Sequence, residues 1–355
     1  KTTLIRRIIA KLSYKALIIN ADEERYHEVL SSRDERKLGE LVEGYDLLFI
    51  DEAQRVPNIG IGLKILIDSR PKLKIIATGS SSLELARGIS EPLTGRKWTY
   101  QLFPISQLEL SRTLNRFQLQ DTLEERLIWG SYPEVFSFKG PKQRAKYLGE
   151  LSTDYLYKDI LTLADVRNPA KIRALLKLLS FQVGSQVSLH EISNSLNISK
   201  ETVARYIDLL EKSFVLFSLS GFSRNLRKEV SKSKKYYFCD LGMRNAVVEN
   251  FNSLLNRNDQ GGLWENFLIS ERIKQNAYNE KISSSYFWRT YTGAEIDYVE
   301  ESGGKLSGFE IKYQKAKARK PETFLNAYPD STWEVINREN WLDFALGNAE
   351  PQKLT

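Results

Sequence analysis

Three short apolar runs mark the first part of the chain, and each ends in polar or small side chains. They lie at residues 16–20, 47–50 and 73–79. Short apolar runs between polar segments are typical of buried strands, whereas residues 5–12 carry apolar side chains at helical spacing. This pattern predicts an α/β domain with a parallel sheet and helices on both faces. Ligands bind such sheets beyond the carboxyl ends of the strands, where the polar residues fall.

The rest of the chain changes pattern three times. Apolar positions at helical spacing predict a helical segment first, which would form a lid over the α/β domain. A helix-turn-helix with a two-stranded wing follows, because helices predicted at 189–196 and 200–212 precede two strands joined by a basic loop. The last part predicts a helix, a strand and a hairpin. The four predicted segments are residues 1–104, 105–168, 169–245 and 246–355.

The pair Gly303-Gly304 predicts a tight turn in that hairpin. A Gly-Gly loop of two residues favours a type I′ turn, which fixes the register of the two strands. Apolar residues then face each other on one side of the hairpin, and charged residues face each other on the other side. The predicted pairs are Ile296 with Ile311, Tyr298 with Phe309, Asp297 with Glu310, and Glu295 with Lys312.

Two carboxylates that face each other across a hairpin, here Asp297 and Glu310, repel one another and lower stability. A divalent cation between them would remove that cost, and Lys312 would orient or activate a water bound to the metal. The alternative is a solvated hairpin, in which Glu295 and Lys312 form a surface ion pair. The hairpin alone does not decide between these two interpretations.

Composition and charge narrow the class of protein. The chain has 355 residues, which is long for one hydrophobic core, so several domains are expected. A single cysteine cannot form an internal disulfide, and this favours a reducing, cytoplasmic location. No apolar run is long enough to cross a membrane. The chain has only two histidines, so we do not expect a zinc site built from histidines. The net charge of +7 is modest, so the distribution of charge matters more than its sum.

Lys1-Thr2 and Asp51-Glu52 carry the candidate chemistry of the first domain. Lys-Thr at the start of a helix is the end of the phosphate-loop pattern G-x-x-x-x-G-K-[ST], in which lysine reaches phosphate and the hydroxyl binds Mg²⁺. An apolar strand that ends in Asp-Glu supplies one carboxylate to the metal and a second one to the attacking water. The glycine-rich part of the pattern and the strand before it are not in the chain, which starts without methionine. We therefore expect the chain to begin inside the fold.

Several of these motifs resemble known families. Asp297 with Glu310-Ile311-Lys312 resembles the Asp…(Asp/Glu)-x-Lys core of restriction-endonuclease-like nucleases, and Glu265 resembles the helical carboxylate that precedes this core. Together with residues 49–54 and 78–80, the whole chain resembles a family of prokaryotic AAA-type P-loop ATPases. Members of that family carry a winged helix and a C-terminal nuclease-like domain of undefined function.

The resemblance implies ATP and Mg²⁺ as cofactors of an ATPase. It implies that Lys1 contacts phosphate, that Thr2 and Asp51 bind Mg²⁺, and that Glu52 is the hydrolytic base. For the C-terminal segment it implies a second divalent site, for Mg²⁺ or Mn²⁺, with Lys312 in a catalytic role. The ligands of that second site would be Glu265, Asp297 and Glu310.

Two further roles follow from the resemblance. Thr78 or Ser80 would be the polar sensor at the end of the third strand, and Arg96 would complete the site of a neighbouring chain in an oligomer. Both roles have simpler alternatives. The two hydroxyl residues are also suited to cap the next helix, and Arg96 is also interpreted as an ordinary surface arginine.

The leading hypothesis is an ATPase whose nucleotide state moves a winged helix and a nuclease-like domain on nucleic acid. Basic residues at 224–235 and 312–320 would contact DNA or RNA. Acidic residues on the helix 200–212 argue against sequence-specific recognition. The alternative is a nucleotide-gated switch or scaffold whose nuclease-like domain is inactive and binds a protein partner. A small-molecule P-loop kinase is a weaker third hypothesis, because it gives the basic segments no purpose.

Overall fold

A computed structural model describes residues 1–79, 93–154, 168–223, 234–314 and 319–347 of the chain. The chain folds as two compact units, one built mainly from residues 1–102 and one built mainly from residue 103 onward. The boundary expected at residue 104 stays a prediction. The subdivision of the remaining chain into three segments stays a prediction.

The first unit contains a parallel sheet of three strands in the order β1-β2-β3, as the apolar runs predict. Its strands are β1 (Ala16–Asn20), β2 (Leu47–Asp51) and β3 (Lys74–Ala77). Every residue of β2 is buried, because this strand is central and has helices against it. The helices are α1 (Thr2–Ile9), α2 (His27–Ser31), α3 (Glu35–Leu41) and α4 (Ile59–Ser69), with short 3₁₀ helices at Glu24–Tyr26 and Ala53–Arg55.

Helix α4 packs closely on the turn that ends α2. A Cβ built on Gly62 of α4 would lie 2.3 Å from the carbonyl oxygen of Leu30, so no larger residue fits at this position without movement of the backbone. The main apolar core of this unit includes Ile19, Leu48 and Ile50, which are fully buried. This packed core therefore fixes the positions of the strand ends in the first unit.

The second unit contains eleven α-helices and seven strands within its described residues. The helices are α5 (Gln107–Leu110), α6 (Arg116–Asp121), α7 (Leu123–Trp129), α8 (Pro141–Asp154), α9 (Pro169–Phe181), α10 (Leu189–Leu196), α11 (Lys200–Lys212), α12 (Leu241–Val247), α13 (Gln260–Tyr278), α14 (Glu322–Ala327) and α15 (Trp341–Leu346). The strands are β4 (Gln186–Val187), β5 (Leu216–Gly221), β6 (Lys234–Phe238), β7 (Ser284–Arg289), β8 (Glu295–Ser302), β9 (Lys305–Ile311) and β10 (Thr332–Ile336).

All seven strands form one sheet in the order β10-β9-β8-β7-β5-β6-β4. β5 and β7 pair in parallel through Ser220 with Tyr286 and Gly221 with Phe287. This pairing joins the strands predicted as a wing to the strands of the C-terminal segment. β10 also runs parallel to its neighbour β9, and the other pairs are antiparallel. Helices α10 and α11 coincide with the two helices predicted for the helix-turn-helix.

The hairpin β8–β9 has the predicted register only near its turn. Gly303 and Gly304 both have positive φ, and Tyr298 pairs with Phe309 as expected. Against β7, however, Ile296 pairs with Trp288 and Val299 with Tyr286, so β8 carries one extra residue between Ile296 and Val299. Such a β-bulge reverses the faces of the residues beyond it.

The bulge makes the prediction that Ile296 faces Ile311 wrong. Ile296 packs with Trp288, Val299 and Phe324 on one face of the sheet. Tyr298, Phe309 and Ile311 belong to the large core on the other face, together with Trp264 and Phe267 of α13. The bulge therefore determines where the charged residues of β8 lie.

Glu300 of β8 forms a buried ion-pair network on the α13 face. Its side chain is 3% exposed, and its carboxylate accepts hydrogen bonds from Arg272 Nε at 2.9 Å and Asn276 Nδ2 at 2.7 Å, and also from Lys281. Burial would raise the pKa of Glu300, but the bonds from Arg272 outweigh it and lower the pKa to about 2. The network fixes α13 against the hairpin.

In the part of the chain that the structure describes, no helix combines the length and apolar character needed to cross a membrane.

Candidate functional site

Lys235 lies at the centre of a group of partly buried carboxylates in the second unit. Its side chain is 2% exposed, and its Nζ is 2.5 Å from Glu295 Oε1, 3.5 Å from Glu265 Oε1 and 3.9 Å from Asp297 Oδ1. We call these four residues the Lys235 cluster. Burial alone would lower the pKa of Lys235, but the three carboxylates outweigh it and raise the pKa. The ammonium therefore stays charged at neutral pH.

Three elements supply the Lys235 cluster. Lys235 belongs to β6, Glu265 to α13, and Glu295 and Asp297 to β8. Asp297 lies within the bulge of β8, and its Oδ2 accepts a hydrogen bond of 2.8 Å from the backbone N–H of Ile311 on β9. Bulges commonly redirect a side chain in this way. Burial raises the pKa of Asp297, and Lys235 acts against this increase.

Glu265 has a second donor besides Lys235. The hydroxyl of Tyr237, two residues along β6, donates a hydrogen bond of 2.7 Å to Glu265 Oε1. Burial raises the pKa of Glu265 to about 7, although Lys235 lowers it. Burial also raises the pKa of Tyr237 well above its usual value, so the phenol remains a hydrogen-bond donor.

Glu310 and Lys312 form a separate pair next to the cluster. Lys312 Nζ is 2.6 Å from Glu310 Oε1. Burial and the nearby Asp297 raise the pKa of Glu310. The prediction that Lys312 pairs with Glu295 is wrong, because the bulge shifts the register and Glu295 instead contacts Lys235. The basic segment 312–320 therefore starts with a lysine that is already neutralised.

Lys235 belongs to the basic segment 224–235 that is predicted to contact nucleic acid, and for this lysine the prediction is wrong. The structure buries Lys235 among carboxylates, so its charge is not available to a phosphate. Residues 224–233 and 315–318 lie outside the described residues.

Asp51 lies at the carboxyl end of the central strand of the first unit and is 9% exposed. The Thr2 hydroxyl donates a 2.6 Å hydrogen bond to Asp51 Oδ2, and the Thr78 hydroxyl donates a 2.5 Å bond to Asp51 Oδ1. Thr78 directly follows β3, which pairs with β2 in parallel. The parallel order brings the two strand ends to one edge of the sheet. Thr2 arrives at this edge as the first residue of α1.

Lys1 lies at the same edge. Its ammonium donates a hydrogen bond to the carbonyl oxygen of Gly79, the residue after Thr78. Lys1 is also the N-cap of α1, whose first turn contains no acidic residue. A helix N-terminus with a lysine is favourable for a phosphate, because both contribute positive charge.

Glu52 follows Asp51 in a left-handed backbone conformation, with φ of 54°. The side-chain amide of Gln54 donates a hydrogen bond of 2.5 Å to Glu52 Oε2, and Gln54 is 8% exposed. A non-glycine residue holds such a conformation only where the surroundings stabilise it. The backbone N–H of Ala53 contributes by donating to the Thr78 carbonyl at 2.8 Å.

The other two predicted site residues of the first unit are Arg96 and Ser80. Arg96 forms an ion pair of 3.4 Å with Asp68, and both side chains are more than 40% exposed. This is an ordinary surface arrangement, and a role for Arg96 toward a neighbouring chain stays a prediction. Ser80 lies outside the described residues.

Comparison with known families gives matches over three parts of the chain. Residues 1–111 match the family model of an AAA domain. Residues 120–254 match a domain of unknown function (DUF8612), and residues 260–342 match another one (DUF4143). AAA domains generally bind and hydrolyse ATP, so the first match supports a nucleotide-binding ATPase.

Relatives with curated sequences are uncharacterized prokaryotic proteins. One from Mycobacterium tuberculosis is 31% identical over 271 residues, which cover 75% of this chain and 58% of the relative. One from Methanocaldococcus jannaschii is 25% identical over 318 residues, which cover 84% and 69%. The chain thus spans less than two thirds of the mycobacterial relative. A solved structure, protein VC1899 from Vibrio cholerae, aligns over 93% of this chain and 95% of its own with 10% identity. Its TM-score of 0.19 is too low to indicate a shared fold.

The oxygen atoms at the carboxyl ends of the strands in the first unit suit Mg²⁺. Thr2 Oγ1 and Asp51 Oδ2 are 2.6 Å apart, so both are close enough to bind one cation. A hydroxyl and a carboxylate are hard oxygen ligands of the kind that Mg²⁺ prefers, alongside phosphate oxygens and water. Among the described residues, no group of three or more His, Cys, Asp or Glu side chains is arranged to hold a metal by itself.

The sequence pattern predicts none of the contacts that Gln54, Lys235 and Tyr237 make in these two sites, and it pairs Glu295 with a different lysine. For Gln54 the signal is its position two residues after Glu52. Lys235 and Tyr237 are two apart in a strand, so they lie on one face.

Proposed function

We propose that this protein binds ATP with Mg²⁺ and hydrolyses it at the carboxyl ends of β2 and β3. The observation that carries the proposal is the pair of hydrogen bonds from Thr2 and Thr78 to the two oxygens of Asp51. These bonds hold the carboxylate beside the N-terminus of α1, where Lys1 supplies a positive charge. A phosphate group with its metal ion needs this combination of groups.

Each side chain has a distinct part in the proposed reaction. Lys1 binds the β- and γ-phosphates, and Thr2 with Asp51 would hold Mg²⁺, which neutralises the charge that develops during phosphoryl transfer. Glu52 accepts the proton of the attacking water. Gln54 holds one oxygen of Glu52 and leaves the other oxygen free for that water. Thr78 fixes Asp51 and would sense the state of the phosphate.

The test measures nucleotide binding by calorimetry and phosphate release. Both are done on the 355-residue chain and on a version with a G-x-x-x-x-G segment placed before Lys1. Glu52→Gln should keep Mg²⁺-ATP binding and lose about 10²-fold or more in turnover, whereas Lys1→Ala should weaken binding itself. Arg36→Ala is the matched control, since Arg36 only pairs with Glu40 on the surface. Turnover that is unchanged in both Glu52→Gln and Lys1→Ala contradicts the proposal.

We further propose that ATP hydrolysis is coupled to the binding of nucleic acid by the second unit. It is supported by the helix pair α10 and α11, which is followed by the strands β5 and β6, and by the basic residues of the segment 224–234. Acidic residues of α11, including Glu201 and Asp208, oppose it. Fluorescence polarisation with labelled single- and double-stranded DNA, at several salt concentrations, tests this proposal. Binding that weakens with salt, and that falls further in Arg227→Ala/Lys228→Ala, is expected. The absence of binding at low salt contradicts it.

A further inference from the structure

Two of the three carboxylates that resemble nuclease ligands, Glu265 and Asp297, contact the ammonium group of Lys235. We propose that the Lys235 side chain takes the position that the resemblance gives to a divalent metal, so that this cluster is a metal-free ion-pair site. The proposal does not depend on ATP binding by the first unit. It concerns the residues expected to hold Mg²⁺ or Mn²⁺, namely Glu265, Asp297 and Glu310.

The distances around Lys235 leave no room for a metal ion beside its ammonium group. The Nζ atom of Lys235 lies within 3.9 Å of one oxygen each from Glu265, Glu295 and Asp297. A divalent metal would have to bind oxygens at about 2.0–2.6 Å in the same space. The side chain of Lys235 is 2% exposed, so its ammonium is held inside the protein at this position.

Charge carries the second step. Lys235 is one cation beside three partly buried carboxylates, whose side chains are 13% to 28% exposed. A divalent cation at the same carboxylates would be repelled by this fixed positive charge across a few ångströms, in surroundings that screen charge poorly.

Each carboxylate that was expected to bind the metal also has a donor other than Lys235. The backbone N–H of Ile311 donates to Asp297 Oδ2 at 2.8 Å, and Tyr237 donates to Glu265 at 2.7 Å. Lys312 lies 2.6 Å from Glu310. Each predicted ligand is thus engaged by a group of the protein. This agrees with the absence of a metal-holding group of three among the described His, Cys, Asp and Glu residues.

The location of Lys235 explains why the motif alone misleads. The resemblance to nucleases rests on residues of α13, β8 and β9, whereas Lys235 is supplied by β6, which the sequence assigns to a different segment. Because β6 and β8 lie in one sheet, the ammonium reaches the carboxylates from outside the motif. The cluster then joins β6, α13 and β8 into one unit. We do not expect metal-dependent phosphodiester cleavage by this cluster.

Manganese binding tests the proposal directly. It is measured by electron paramagnetic resonance on nucleotide-free Asp51→Asn protein, so that the first unit does not contribute. With Lys235 present, no Mn²⁺ should bind at the cluster. Adding Lys235→Ala should raise Mn²⁺ affinity by about tenfold or more, and further addition of Asp297→Asn should abolish the gain. Lys312→Ala is the matched control and should not create a site.

Three results would overturn the proposal. One is Mn²⁺ binding with Lys235 intact that disappears in Asp297→Asn. Another is a folded Lys235→Ala protein that gains no Mn²⁺, with circular dichroism as the check on folding and Lys235→Gln as a second, closer replacement. The last is cleavage of plasmid DNA by the wild-type protein with Mn²⁺ that Asp297→Ala abolishes. The wild-type measurements remain decisive even where a variant does not fold.

Discussion

Replacement of Lys235 by methionine should destabilise the second unit strongly. The change keeps most of the side-chain volume but leaves Glu265, Glu295 and Asp297 without their shared cation. Removal of one partner from a buried ion pair typically costs about 3–5 kcal/mol in the free energy of unfolding. We expect a loss in this range at neutral pH.

The pH dependence of this loss distinguishes charge from packing. The folded pKa of Glu265 is about 7 with Lys235 present, well above the value of about 4.3 in an unfolded chain. The folded state thus binds the extra proton below about pH 7, and this contribution to stability disappears as the pH rises through the folded pKa. Without Lys235 the folded pKa rises further. Between about pH 7 and pH 8 the variant should therefore lose more stability than the wild-type protein, by up to about 1 kcal/mol.

Urea unfolding followed by tryptophan fluorescence is the assay. Five of the six tryptophans belong to the second unit, so the signal reports mainly its unfolding. They are Trp129, Trp264, Trp288, Trp333 and Trp341. The double variant Lys235→Met/Glu265→Gln should recover part of the loss, because it removes one unpaired charge. Lys312→Met is the control, since Lys312 is 40% exposed and should cost less than about 1 kcal/mol. A loss below about 1 kcal/mol for Lys235→Met, at every pH tested, would refute the reasoning.

Three further predictions follow from single contacts. Gln54→Ala removes the hydrogen bond to Glu52, so kcat for ATP hydrolysis should fall at least several-fold while KM stays unchanged. A variant in which KM changes and kcat does not would contradict a positioning role for Gln54. Glu300, with a folded pKa of about 2, should stabilise the protein by up to about 3 kcal/mol above pH 5, and this contribution should be lost as the pH falls through its folded pKa. Acid titration of stability in Glu300→Gln, which should lack this component, checks the assignment. Gly62→Ala places a Cβ 2.3 Å from the Leu30 carbonyl, so thermal unfolding of the first unit should occur at a lower temperature, whereas Gly149→Ala, where the structure shows open space, should not lower stability.

The parallel sheet of the first unit could be predicted because its strands are signalled locally. The run 47–50 is apolar and ends in Asp51, and the observed β2 is fully buried. Parallel strand order then brings Asp51 and Thr78 to one edge without further information. The hydrogen bond from Gln54 to Glu52 was not predicted, because it depends on the left-handed backbone of Glu52, for which the side chain gives no signal.

The Lys235 cluster shows what local patterns leave out. The spacing of the hairpin predicts its register correctly near the glycines, because the turn fixes it there. It does not predict the bulge, which is an extra residue in β8 opposite β7 and has no local signature. Lys235 meets Glu265, Glu295 and Asp297 only because β6 joins the same sheet. Contacts of this kind depend on the packing of distant elements, which periodicity does not encode.

Mg²⁺-ATP binding by calorimetry tests the proposed nucleotide site most directly. It should be measured for the protein with a G-x-x-x-x-G segment before Lys1 and for its Asp51→Asn and Lys1→Ala variants. We predict binding of one nucleotide that requires Mg²⁺ and is strongly weakened in both variants. Nucleotide binding that is absent, or that is equal in all three proteins, would contradict the assignment of Lys1, Thr2 and Asp51 to a nucleotide site.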